Sequence, residues 1–106
     1  METNKIIEGN RLIAEFMGSF ENPRDKEWMI YNPSGQPRKK DDALYHSSFD
    51  WLIPVVEKIE KNTNNQITIL GTTCKINNFI HVYMCNSKIE ATWLACVEFI
   101  KHKNIT

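Results

Sequence analysis

Ser87 and Glu90 stand three residues apart at the head of KIEATWLACVEFIK, and the run behind them repeats Ile89, Trp93, Val97 and Ile100 at helical spacing. The pair is a capping box, in which a serine hydroxyl and a glutamate side chain satisfy amide groups that a helix start leaves free. Cys96 adjoins the apolar stripe, and Lys101 and Lys103 lie at the far end, where the helix dipole favours cations. A helix over residues 87–103 with such a stripe needs an apolar surface to cover it, and the rest of the chain has to provide that surface.

Two other segments have the same period. In TNKIIEGNRLIAEFM, Ile6, Ile13, Phe16 and Met17 recur with Leu12 beside them, and Gly18 follows where a left-handed helix cap is common. Gly9 inside this helix costs roughly 1 kcal/mol relative to alanine, which marks it as a candidate close contact. In YHSSFDWLIPVVEKIEKN, Ser47 and Asp50 are spaced to cap a helix, and Leu52, Val55, Val56 and Ile59 share one face. Pro54 leaves the start open. A helix from Ser47 loses an internal hydrogen bond, whereas one starting nearer Asp50 or Trp51 holds the proline in its first turn.

Between the helices lie strand signals. WMIYN reads as a short strand ended by NPSGQP, and QITIL alternates like a half-buried strand. After GTT turns the chain, CKI and FIHVYM give one or two more strands, broken at Asn77 and Asn78. The apolar run at residues 79–84 suggests cover on both faces. Residues 19–27 read as a turn-rich connection, and residues 33–45, with two prolines, one glycine and five charges, as a mobile surface loop. The order is helix, strand, helix, two or three strands, helix. It predicts an α+β fold: one antiparallel-rich sheet of three or four strands packed with three helices. At 106 residues, 42% apolar and 25% charged, the chain reads as a single domain spanning residues 1–106.

Chemistry-bearing motifs are sparse. The four glycines are unclustered, and there is no G-x-S-x-G and no H-E-x-x-H. His81 and Cys85 are four apart, but zinc sites use paired ligands at short spacing, so no metal and no cofactor is expected. The three cysteines form no C-x-x-C pair and read as reduced core thiols. His46 beside Ser47 and Ser48 suits a cap better than a nucleophile, so the expectation is not an enzyme. No apolar run nears the ~20 residues that span a bilayer, and the charged N-terminus is unlike a secretory signal, which points to the cytoplasm.

Thirteen basic and thirteen acidic residues give zero net charge, which argues against bulk nucleic-acid coating but leaves room for a local patch. Arg38, Lys39 and Lys40 supply one, flanked by Trp28, Tyr31, Tyr45 and His46. Cations interleaved with aromatics can hold phosphates and stack on bases. The plainer reading is a solvated loop balanced by Asp41 and Asp42, with the aromatics in the core. Trp51, beside the apolar face, reads as core.

NRLIAEFMG, YHSSFDWLIPVVEKIE and SKIEATWLACVEFIK together resemble a family of small phage and prophage proteins of Bacteroidota viruses, the phage α-β-α sandwich domain. The similar blocks cover most of the chain in the same order. The family usually has tryptophan where this chain has Phe49, and residues 21–44 fall where its members differ most. The resemblance implies a phage origin and an αβ sandwich in a host bacterial cytoplasm, and it carries no catalytic residues. By analogy with small accessory phage proteins, the expected function is inhibition of a host antiviral defence. An anti-CRISPR type of action, on an RNA-guided effector or its guide RNA, comes first. A sponge for nucleotide second messengers and a phage assembly accessory are the alternatives.

Overall fold

α3, Lys88–Ile105, runs through the middle of the molecule. The structure, a computed structural model, describes residues 3–63, 66–77, 80–82 and 85–105. Ser87 opens α3: its hydroxyl accepts the Glu90 amide at 3.2 Å, and its carbonyl accepts the amide of Ala91. Trp93, Val97 and Ile100 of the expected stripe are buried, with Ile89 half-buried against the core, and so are Ala91, Thr92, Ala95, Cys96 and Phe99, so most of the girth of α3 is covered.

That cover comes from two sides. α1, Thr3–Met17, and α2, Phe49–Thr63, pack against α3 on one side. On the other lies a sheet of β4, Ile67–Leu70, β5, Thr73–Ile76, and β6, Ile80–Val82. Its strands pair antiparallel in sequence order, with Ile69 opposite Cys74 and Cys74 opposite Val82. Cys74, Ile76 and Ile80 are buried, whereas Leu70 on the outer face is 74% exposed. Residues 79, 83 and 84, half of the run expected to be covered on both faces, fall outside the described residues.

The class is α+β with three helices, as expected, but the strands divide differently. A second antiparallel sheet joins β1, Phe20–Glu21, β2, Trp28–Tyr31, and β3, Pro37–Lys39. There are thus two three-stranded sheets among the described residues, not one sheet of three or four strands. The added strands come from segments whose sequence reads as connection and loop. Asn32-Pro33-Ser34-Gly35 makes the β2–β3 turn: the Gly35 amide donates to the Asn32 carbonyl at 2.9 Å, with Gly35 at φ +83°. Proline second and a left-handed glycine fourth suit such a turn. Beyond β3 the chain makes a single 3-10 turn, Lys40–Asp42.

The helix ends refine the sequence picture. Gly18, at φ +97°, closes α1 as expected: its amide donates to Glu15 and the Ser19 amide donates to Ala14, a Schellman motif. α2 begins at Phe49, so Ser48, not Ser47, stands at the cap position, and its carbonyl accepts the Leu52 amide at 3.0 Å. Pro54 is then the sixth residue of α2, past the first turn, where it withholds a hydrogen bond from the Asp50 carbonyl. Leu52, Val55, Val56 and Ile59 are buried together as predicted.

Candidate functional site

Asn10 joins the three helical regions through one polar node. Only 6% exposed, it accepts the Trp93 indole N–H at 2.8 Å through Oδ1. Its Nδ2 donates to the Ala43 carbonyl at 3.2 Å and meets His46 Nδ1 at 2.9 Å. With its oxygen committed to an indole, Asn10 can only offer N–H to the imidazole, so His46 Nδ1 is the acceptor and its proton sits on Nε2. Burial lowers the His46 pKa. Gly9 makes this arrangement possible: a Cβ there would lie 2.3 Å from Trp93 Cζ2.

The node lends one residue each to the three blocks quoted above. Asn10, His46 and Trp93 hold α1, the segment before α2, and α3 together. His46 therefore has a structural task, although it also borders a small cleft of about 180 Å³ with Ile6, Leu44 and Asp41. Tyr45, expected at a contact surface, is core: it is 2% exposed, its ring meets Trp51 edge-on at 5.4 Å, and burial raises its pKa to about 12.

The basic residues divide by partner. Lys40 Nζ sits 3.1 Å from Glu15 Oε1 and 5.6 Å from the centre of the Trp28 ring, with the side chain only 13% exposed. Lys39 Nζ is 3.6 Å from Glu27 Oε2. Arg38 has no carboxylate partner among the described residues; its Nη2 donates to Gln36 Oε1 at 2.9 Å. Asp41, expected to balance this stretch, instead takes a two-pronged bond from Arg11 at 3.0 and 3.2 Å. That bond lowers the Asp41 pKa and raises that of Arg11. Arg11 and Glu15 lie one turn apart on α1 and grip successive residues, Asp41 and Lys40. The segment expected to be a mobile loop is thus tied to the helix.

The result is a surface cleft of about 330 Å³ where Arg11, Lys26, Lys39 and Lys40 surround Trp28, with Glu27 and Asp41 among them. Trp28 is 52% exposed. Of the seven candidates, Trp28, Lys39 and Lys40 meet here. Tyr31 and Tyr45 line a different cleft, His46 belongs to the node, and Arg38 lies on the exposed edge strand. Sequence reasoning missed Arg11 and Lys26. The signal available for Arg11 was its spacing from Glu15, an acid–base pair on one helical face.

Burial favours the protonated form of the described thiols. Burial raises the Cys74 pKa to about 11 and pushes Cys96 and Cys85 upward too. Among the described residues no three histidine, cysteine or acidic groups converge as metal ligands, and no helix is long and apolar enough to cross a membrane. Comparison of the chain with family models, curated proteins and solved structures finds no match in any of the three. The phage resemblance thus rests on the three sequence blocks alone.

Proposed function

We propose that this chain is a non-catalytic, phage-encoded binding protein that blocks a host antiviral defence by engaging an RNA-guided effector or its guide RNA. The β1–β2–β3 sheet and the neighbouring turn of α1 form the contact surface. One observation carries this reading: the half-exposed Trp28 stands among Arg11, Lys26, Lys39 and Lys40. Single strands are bound by this combination, cations tracking the backbone and an aromatic face stacking on a base. Phage origin and the defence target come from the three resembling blocks and from analogy between small accessory phage proteins.

The acids in the cleft shape the test. Lys39 and Lys40 are held by Glu27 and Glu15, so each must trade a carboxylate for a phosphate. Lys40 is unsuitable for charge reversal because its side chain is mostly covered and paired. Lys26, Arg38 and Lys39 are exposed, and a Lys26→Glu/Arg38→Glu/Lys39→Glu variant should keep the fold. Binding of a single-stranded guide RNA should fall steeply with salt for the native protein. The triple variant should bind at least tenfold more weakly and fail to inhibit target cleavage by the RNA-guided nuclease. Undiminished inhibition by a folded triple variant would remove this surface from the mechanism.

A further inference from the structure

The strand register of β1–β2–β3 sorts its side chains onto two faces. Phe20, Met29 and Lys39 stand opposite one another across the three strands, and Tyr31 stands opposite Pro37, which places all five on one face. The other face carries Trp28, Arg38 and Ile30, and Ile30 is only 3% exposed in the core. The first face therefore looks outward. Tyr31 on it is 58% exposed, and Pro37 and Lys39 are exposed with it.

Two contacts prepare this outward face. The Phe20 ring centre lies 5.0 Å from that of Tyr31 with the planes 32° apart, so Phe20 backs one side of the tyrosine ring. A ring already held in place loses little freedom when a flat partner stacks on its open side. Lys39 is the diagonal neighbour of Tyr31, roughly 7–8 Å away across the β2–β3 pair, a span that one nucleotide covers between base and phosphate. Its Nζ is 3.6 Å from Glu27 Oε2, and both side chains are open to solvent, so the lysine can exchange that acid for a phosphate at little cost.

The same lysine also lines the cleft around Trp28, with Arg11, Lys26 and Lys40. Trp28 belongs to the opposite face, so this cleft opens at the end of the sheet, where the two faces meet. Lys39 is common to both surfaces, and that continuity selects the occupant. A strand with unpaired bases uses the ring, the lysine and the cations beyond it together, stacking on the aromatic while its backbone continues into the cleft.

We infer that the outward face of this sheet is a stacking platform for single-stranded RNA, with one base on the open side of Tyr31 and the adjoining phosphate on Lys39. The choice of RNA rests on the function proposed above. Arg38, on the other face, takes no part in the stack.

The test uses the full chain and its Tyr31→Ala, Tyr31→Phe and Lys39→Gln variants, with Leu70→Ala on the other sheet as control, each checked for folding by circular dichroism. The probes are a labelled ten-nucleotide RNA, the same RNA abasic throughout, and single-stranded DNA of the same sequence. Tyr31→Ala should weaken RNA binding roughly 5- to 150-fold, the span for one lost base stack, with the salt slope unchanged. Tyr31→Phe keeps the ring and should bind within about twofold of the native protein. Lys39→Gln should weaken binding and reduce the salt slope by about 0.7, as for one phosphate contact on a single strand. The abasic RNA should not distinguish Tyr31→Ala from the native protein, and Leu70→Ala should change nothing. RNA binding with this Tyr31 dependence but without inhibition of the nuclease would uphold the platform and defeat the defence role proposed above. Salt-dependent RNA binding that ignores both Tyr31→Ala and the loss of the bases would overturn the platform and spare the cationic cleft. Failure to bind RNA, tighter binding of the DNA, or binding of a proline-rich peptide in place of RNA would also overturn the inference.

Discussion

Gly9 shows how much one missing methyl group can decide. Alanine would favour the helix by about 1 kcal/mol. Its Cβ, however, would lie 2.3 and 2.6 Å from two carbons of the Trp93 ring, which is 1% exposed and has little room to retreat. Overpacking of this kind costs about 1–3 kcal/mol, so Gly9→Ala should lower the thermal midpoint despite its better propensity. A variant as stable as the parent would mean that the ring does not sit on Gly9. Asn10 is costlier to lose. Asn10→Ala strands the Trp93 N–H and the Ala43 carbonyl, at about 1–3 kcal/mol for each buried group. In urea titrations that cost should shrink in a Trp93→Phe background, because one orphan has gone. His46 adds a pH dependence. Its folded pKa lies below the ordinary ~6.5, so the unfolded chain binds the extra proton first. Stability should hold above pH ~6.5 and fall as pH drops toward the lowered value, and His46→Gln should flatten that decline in acid-denaturation curves.

Among the elements, the helices were the most legible and their first residues the least. The Ser87 hydroxyl caps α3 as its spacing predicts, whereas the Ser47–Asp50 spacing misleads by one residue because α2 begins at Phe49. Ser87→Ala should therefore cost about 1 kcal/mol in chemical denaturation, and Ser47→Ala close to nothing. Equal effects would contradict the placement of the caps. The sheet of β1–β3 was illegible for a different reason. Its strands are two to four residues long, and β3 carries three exposed polar or prolyl positions with no apolar alternation. What makes them strands is the Asn32–Gly35 turn and pairing with β2, and period-based reading does not register either. The grip of Arg11 and Glu15 on Asp41 and Lys40 likewise joins residues 25 to 30 positions apart.

At the scale of the molecule, zero net charge conceals a local arrangement in which Arg11, Lys26, Lys39 and Lys40 each have an acid within 4 Å, whereas the neighbouring Arg38 has none among the described residues. Two thiols, Cys74 and Cys96, and one phenol, Tyr45, are buried in their neutral forms. Cys74, held up to about 11, and Tyr45, at about 12, retain protons that the unfolded chain releases earlier. Their contribution to stability is whole below pH ~9 and declines as pH climbs toward those values. An alkaline unfolding transition should follow, readable by far-UV circular dichroism. At pH 8 the folded protein should react with iodoacetamide far more slowly than the same protein in urea, especially at Cys74 and Cys96, which are fully buried. The seven candidate contact residues, neighbours along the chain, end in four different surroundings: a cationic cleft, an aromatic cleft, a buried node and an open edge.

The order of amino acids alone determined three helices, the buried face of α2 and the α+β class, because periodicity and caps act between residues a turn apart; in α1 the residues sealed inside are Gly9, Asn10, Ile13 and Ala14, of which the expected stripe held only Ile13. Only the tertiary structure decided which aromatic is wall and which is core, which lysine is neutralised, and why Gly9, Asn10 and Trp93 belong together. Those outcomes depend on hydrogen bonds and contacts between residues up to 83 positions apart, and local spacing carries no record of such distances.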